Sequence, residues 1–189
     1  MYEHLNPLRE KLLKLKIESP PAPWQIKTAI SVGGLESVGF DLHSDNLLIV
    51  SSQGRGVVNC LTGEKTARDY DDDNWDVQKY CRYLEAEGIG ELAGKNITMA
   101  GLYGGGLPIC TEDDWELYSI TLNWPEEMII LVEPGSDLYG SVCNRPDNFV
   151  LIERDACIRA YGFSHSNRSF VIATTSDVTV YGRDNTRLS

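Results

Sequence analysis

Gly39-Phe40 followed by His43-Ser44-Asp45-Asn46-Leu47-Leu48-Ile49-Val50-Ser51-Ser52 has a counterpart late in the chain. That counterpart is Gly162-Phe163 followed by His165-Ser166-Asn167-Arg168-Ser169-Phe170-Val171-Ile172-Ala173-Thr174. Aligned on their histidines, the two stretches match without gaps, apart from one residue between the Gly-Phe pair and the histidine. Both continue into another β-type segment, Val57-Val58 in the first copy and Thr179-Val180-Tyr181 in the second. The physical content is a repeated hairpin. A strand ends in Gly-Phe, a turn of His, Ser and Asn or Asp follows, and an apolar buried strand then leads through a second turn to a further strand.

These hairpins, over roughly residues 25–70 and 148–183, resemble blades of a β-propeller in the manner of WD40 and similar repeats, without the Trp-Asp pair that names that family. At roughly 40 residues per blade, a chain of 189 residues holds about four. The expected fold is all-β: a propeller-like or otherwise curved antiparallel sheet domain with a short N-terminal helix, or alternatively a β-sandwich.

The rest of the chain supports that class. From Trp24 onward, short runs rich in Val, Ile, Tyr, Phe and Thr are bounded by Gly, Asn, Asp and Ser. Expected strands are 26–31, 36–41, 46–51, 56–60, 65–69, 96–100, 118–124, 128–132, 149–153, 158–163, 169–174 and 178–182. Tyr118 to Trp124 alternates apolar and polar residues strictly, as on a strand with one face on the core. Asn6-Pro7 reads as an N-cap with proline at the first helical position, opening an amphipathic helix over residues 7–17. Ser19-Pro20-Pro21-Ala22-Pro23 stops it, because proline lacks an amide donor and pushes its predecessor toward extended geometry. The organisation expected is residues 1–23 as helix and linker, then 24–189 as a single β-rich domain with repeat-like hairpins at 36–60 and 158–182. The leucine-striped helix either covers an edge of its own domain or mediates homo-oligomers.

Acidic residues outnumber basic ones 28 to 17, for a net charge of -11. That excess repels nucleic acids and anionic membranes, and no apolar run is long enough to span a bilayer. The N-terminal leucines are interrupted by charges, so no signal peptide is read and a cytoplasmic location is expected. The scattered cysteines Cys60, Cys81, Cys110, Cys143 and Cys157 lack C-x-x-C spacing and read as reduced thiols, with Cys60 and Cys157 in or beside strands as small buried hydrophobes. Residues 69–137 hold 16 acidic and 3 basic side chains, so all the net negative charge belongs to the middle of the chain.

Candidate sites follow from that concentration. Asp69, Tyr70, Asp71, Asp72, Asp73, Trp75 and Asp76 combine carboxylates with aromatic residues, a good contact surface for a cationic partner. Asp69, Asp71 and Asp73 have the 1, 3, 5 spacing of a calcium loop, but Asn74 and Tyr80 stand where glycine and glutamate are needed. The glycine-dense Gly101-Leu102-Tyr103-Gly104-Gly105-Gly106-Leu107-Pro108 lacks a P-loop's Lys-Ser/Thr ending and reads as a flexible turn, with Tyr103 on the rim of a binding site. Glu112, Asp113, Asp114, Trp115 and Glu116 extend the acidic surface. Of the three histidines, His43 and His165 recur with their turn and are read as serving its hydrogen bonding. No catalytic residue, metal site or cofactor is expected. The function expected is a non-enzymatic module binding a basic protein, in concrete form a bacterial immunity-type protein neutralising a basic toxin. The alternative is a metal-dependent hydrolase using the carboxylates of residues 69–76.

Overall fold

The computed structural model describes residues 5–70 and 81–184, and over them the chain is mainly antiparallel β. In chain order the elements are α1 (Asn6–Leu13), β1 (Gln25–Ser31), β2 (Leu35–Phe40), β3 (Asn46–Ser51), β4 (Gly54–Asn59), β5 (Glu64–Asp69), β6 (Glu85–Glu87), β7 (Asn96–Thr98), β8 (Ala100–Gly101), β9 (Glu116–Asn123), β10 (Glu126–Val132), α2 (Gly140–Cys143), β11 (Phe149–Asp155), β12 (Ala160–Phe163), β13 (Ser169–Ala173) and β14 (Asp177–Gly182). Two compact units result. One joins Met1–Ala22 to Ile109–Cys157, and the other joins Pro23–Pro108 to Ile158–Ser189.

The larger unit contains a five-stranded sheet, β5-β4-β3-β2-β8, and a four-stranded sheet, β1-β14-β13-β12. Strand β1 thus completes the sheet built from the chain's last hairpins. One hydrophobic cluster draws on both sheets: Val38, Leu47, Ile49 and Val58 from the first, Ile30, Val171, Val178 and Val180 from the second. Leu48, Val50 and Val57 point to the other side of their sheet and pack with Ala86, Leu92, Ile97 and Met99. The unbroken run Leu47-Leu48-Ile49-Val50 is therefore apolar because both faces of β3 are covered. Behind the four-stranded sheet, Trp24 packs on Phe163 and Phe170, Phe170 stacks on Tyr181 at 4.3 Å, and the Arg183 guanidinium lies 4.5 Å from the Trp24 ring.

The two hairpins correspond in the structure with a constant offset of 123, not the 122 that superposes their histidines. Phe40 pairs with Leu47 as Phe163 pairs with Phe170, and each connecting turn has the same length. The Asp41 amide donates to the Asn46 carbonyl as the Ser164 amide donates to that of Ser169. Likewise the Cys60 amide reaches the Asp45 carbonyl as the Arg183 amide reaches that of Arg168. His43 therefore matches Ser166, and His165 matches Leu42. This corrects the reading of the histidines as equivalent turn residues: neither imidazole makes a hydrogen bond among the described residues.

The glycine of each Gly-Phe pair has a steric reason. A Cβ on Gly39 would strike the Thr98 carbonyl oxygen, and one on Gly162, where φ is +152°, would strike Leu107 and the Pro108 oxygen. Each glycine admits a passing backbone against its strand end.

In the smaller unit, β9, β10 and β11 form a sheet with β10 central. Met128, Ile130 and Val132 of β10 and Leu151 of β11 pack with Leu8 and Leu12 of α1, so the leucine stripe covers its own unit's sheet. The helix is shorter than expected and begins at Asn6, with Leu5 in the cap position and no side-chain cap. Beyond it the chain runs extended, and Ile17 bridges to Leu151. The alternation over residues 118–124 holds as far as Leu122. Trp124 lies in the β9–β10 turn and is 88% exposed, instead of facing the core. No helix among the described residues is long and apolar enough to cross a membrane.

Candidate functional site

The acidic residues of 112–116 are carried by a tight turn whose anchors are local. The Thr111 hydroxyl accepts the Trp115 amide at 2.9 Å, the Thr111 amide donates to the Trp115 carbonyl at 2.9 Å, and the Asp114 amide returns to the Thr111 carbonyl at 3.1 Å. Asp114 adopts φ +65°, a left-handed conformation that Asp tolerates better than most residues. Trp115 is only 5% exposed, so it anchors the turn and is not a contact surface, a correction to its place among the binding residues. Glu112 and Asp114 are exposed, and Asp113 and Glu116 are partly so.

Beside this turn lies a groove of about 430 Å³, lined by Asp114, Glu116, Tyr118, Ser136, Asp137 and Arg145, with Gly135 and Pro146 at its edge. Three carboxylates face it against one guanidinium. The Asp137–Arg145 contact is a loose 3.7 Å, with the arginine side chain 70% exposed. Asp137 also accepts the Tyr139 amide at 2.8 Å, and the Tyr118 hydroxyl donates to Glu116 at 2.7 Å. Burial, followed by the hydrogen bond to Glu116 and the negative charge around it, pushes the Tyr118 phenol up to about 12. The phenol is thus a hydrogen-bond donor at neutral pH, not a base. Among the described residues the buried Ser136 hydroxyl has no hydrogen-bond partner. The groove offers acceptors and negative charge, the chemistry that receives lysine or arginine side chains.

The remaining expected residues belong to the larger unit. Asp69 ends β5 and holds Arg55 at 2.7 Å, a partly buried ion pair across the β4–β5 ladder, so its carboxylate serves the sheet. Tyr70 is exposed, with the Arg68 guanidinium 4.7 Å from its ring, and borders a cavity of about 490 Å³ together with Lys65 and Arg68. Tyr103 is half exposed, and its hydroxyl is pushed up chiefly by the charge of Glu36 and then by Cys81. Asp71, Asp72, Asp73, Trp75 and Asp76 lie outside the described residues. Among the described residues no group of His, Cys, Asp and Glu is placed to hold a metal. Cys157, expected to be buried, is exposed, whereas Cys60 is buried and its thiol pushed up by burial first and then by Asp45.

Sequence reasoning missed two features. Trp124 projects from the hairpin tip, where Glu127 and Asp155 stand directly opposite each other in the β10–β11 register. Facing like charges are unfavourable within a sheet and favour a cationic neighbour from outside. The second feature is a cavity that gathers His43, His165 and Lys95 from separate segments. Comparison with protein-family models, curated proteins and solved structures finds no match, so the functional reading rests on this geometry.

Proposed function

We propose that this chain is a non-enzymatic protein-binding module that receives a basic protein on its smaller, acidic unit. The observation that carries the reading is the groove in which Asp114, Glu116 and Asp137 stand with Arg145 as the one cation among the described lining residues. The charge distribution agrees with it. The smaller unit contains 14 acidic and 6 basic side chains, a net of -8, while residues 71–80 account for the remaining -3. A field of one sign over one unit speeds encounter with a cationic partner, and carboxylates with an exposed tryptophan supply steering and anchoring. The concrete form we propose is an immunity-type protein that neutralises a basic toxin in the cytoplasm, a reading that suits the unpaired cysteines. Helix α1 uses Leu8 and Leu12 within its own unit, which supports a partner surface elsewhere than on that stripe.

The test is complex formation with the product of a basic reading frame encoded beside this one. Asp114→Asn, Glu116→Gln and Asp137→Asn together should weaken the complex at least about tenfold while leaving the thermal midpoint of the free protein within a few degrees. Unchanged affinity in the triple variant would remove the groove from the interface and the reading with it.

A further inference from the structure

We propose that the cavity at the turn ends of the larger unit is a binding site for a small organic acid, an apolar body bearing one carboxylate, held between His43 and His165. This site is separate from the acidic groove and does not depend on its function. The cavity measures about 390 Å³, within the range of small-molecule sites. Four segments distant in sequence build it: the β2–β3 turn, β7 with its preceding Lys95, the Gly106-Leu107-Pro108 end of the glycine loop, and His165 of the β12–β13 turn. Gly39 and Gly162 hold it together, since each lets one of those segments lie against a strand end.

Its lining selects the ligand. Phe40, Leu42, Ile97, Leu107 and Pro108 supply apolar walls. The one carboxylate in the lining, Asp41, is buried and already engaged, with Lys95 Nζ 2.9 Å from each of its oxygens and the Ser44 hydroxyl at 2.7 Å. Asp41 therefore offers little to an incoming cation, and the Lys95 ammonium retains a further N–H. His43 and His165 have no hydrogen-bond partner among the described residues. Two imidazoles alone make a poor metal site, and among the described residues no third ligand of the right kind joins them. Two imidazoles and an ammonium N–H on an apolar cup make a good carboxylate site.

Imidazole takes up its proton between about pH 8 and pH 5, so an anion held by two of them binds more tightly on the acid side. Among the described lining residues the other charged groups are Asp41 and Lys95, which are paired with each other, and Asp45 follows in the β2–β3 turn. The Asp45 Oδ1 atom accepts the hydroxyls of Ser164, Ser166 and Ser169.

The experiment is calorimetric titration of the full chain with benzoate, and with neutral benzamide, at about pH 6 and about pH 8. Benzoate should bind at least about tenfold more tightly at the lower pH, and benzamide should bind far more weakly than benzoate at both. His43→Gln and His165→Gln each remove most of the acid-side gain, with folding checked by circular dichroism; both side chains are exposed, so their loss does not unfold the chain. Absence of benzoate binding at about pH 6, equal binding of benzamide, or pH dependence that survives in both glutamine variants would each overturn the proposal.

Discussion

Replacing Asp45 by alanine tests how the two sheets of the larger unit are tied. Asp45 is 8% exposed in the β2–β3 turn, and its Oδ1 atom accepts hydroxyl hydrogen bonds from Ser164, Ser166 and Ser169 at 2.7–2.8 Å. Its carbonyl also accepts the Cys60 amide, an interaction that survives substitution. Hydrogen bonds to a charged group contribute about 1.5–3 kcal/mol each. The sum must be discounted, because Ser166 is exposed and can turn to water, and Ser164 still contacts the Ser166 hydroxyl and the Ser169 amide. Ser169 is fully buried and is left without its acceptor. The expected cost of Asp45→Ala is therefore about 3–4 kcal/mol, and of Asp45→Asn, which keeps an oxygen but loses the charge, about 1–2 kcal/mol. Urea unfolding followed by circular dichroism reads both. A cost below about 1 kcal/mol for the alanine variant would show that the serine cluster is not a tie, and the reasoning would fail.

Three further outcomes follow from single residues. Burial pushes the Asp41 carboxyl up, but hydrogen bonds from Lys95 and Ser44 and the positive charge of Lys95 and His43 outweigh it and hold the group below the usual range. Lys95→Met should thus cost about 2 kcal/mol at neutral pH, discounted for a half-exposed lysine, and stability curves against pH should converge with wild type below about pH 4 as Asp41 takes its proton. The raised Tyr118 phenol stabilises the fold below the ordinary tyrosine value of about 10, and that contribution is lost as pH rises through about 12; Tyr118→Phe should flatten this alkaline loss in thermal melts. Leu12→Ala, at a buried position under the three-stranded sheet, should destabilise by about 2–4 kcal/mol in urea, whereas Leu13→Ala on the exposed side of α1 should cost under about 0.5 kcal/mol.

The all-β class was legible because burial writes itself into residue type. The apolar runs 47–50 and 128–132 fall on strands covered on both faces, and nearly every expected strand lies within two residues of an observed one. The repeated hairpin was legible through Gly-Phe, but its register was not: the matching His-Ser pairs favour an offset one residue short of the one that the turn hydrogen bonds set. Sequence similarity weighs side chains, whereas the turn is defined by backbone pairing and length. Trp124 satisfied the alternation as far as chemistry could show, yet the strand ends before it. The acidic residues 112–116 could be recognised as a surface, but Asp137 and Arg145 join them only through the fold. The histidine cavity needed four segments that no spacing connects.

Titration calorimetry of the full chain with the product of a basic reading frame found beside its own, across salt from about 0.05 M to about 0.5 M, tests the central claim most directly, since exposed charge pairs are screened over about 10 Å at 0.1 M. A groove that works by charge gives a dissociation constant rising at least about tenfold across that range, with the Asp114→Asn, Glu116→Gln, Asp137→Asn variant weak throughout and nearly independent of salt. Tight binding by that variant with the same salt dependence as wild type would contradict the account.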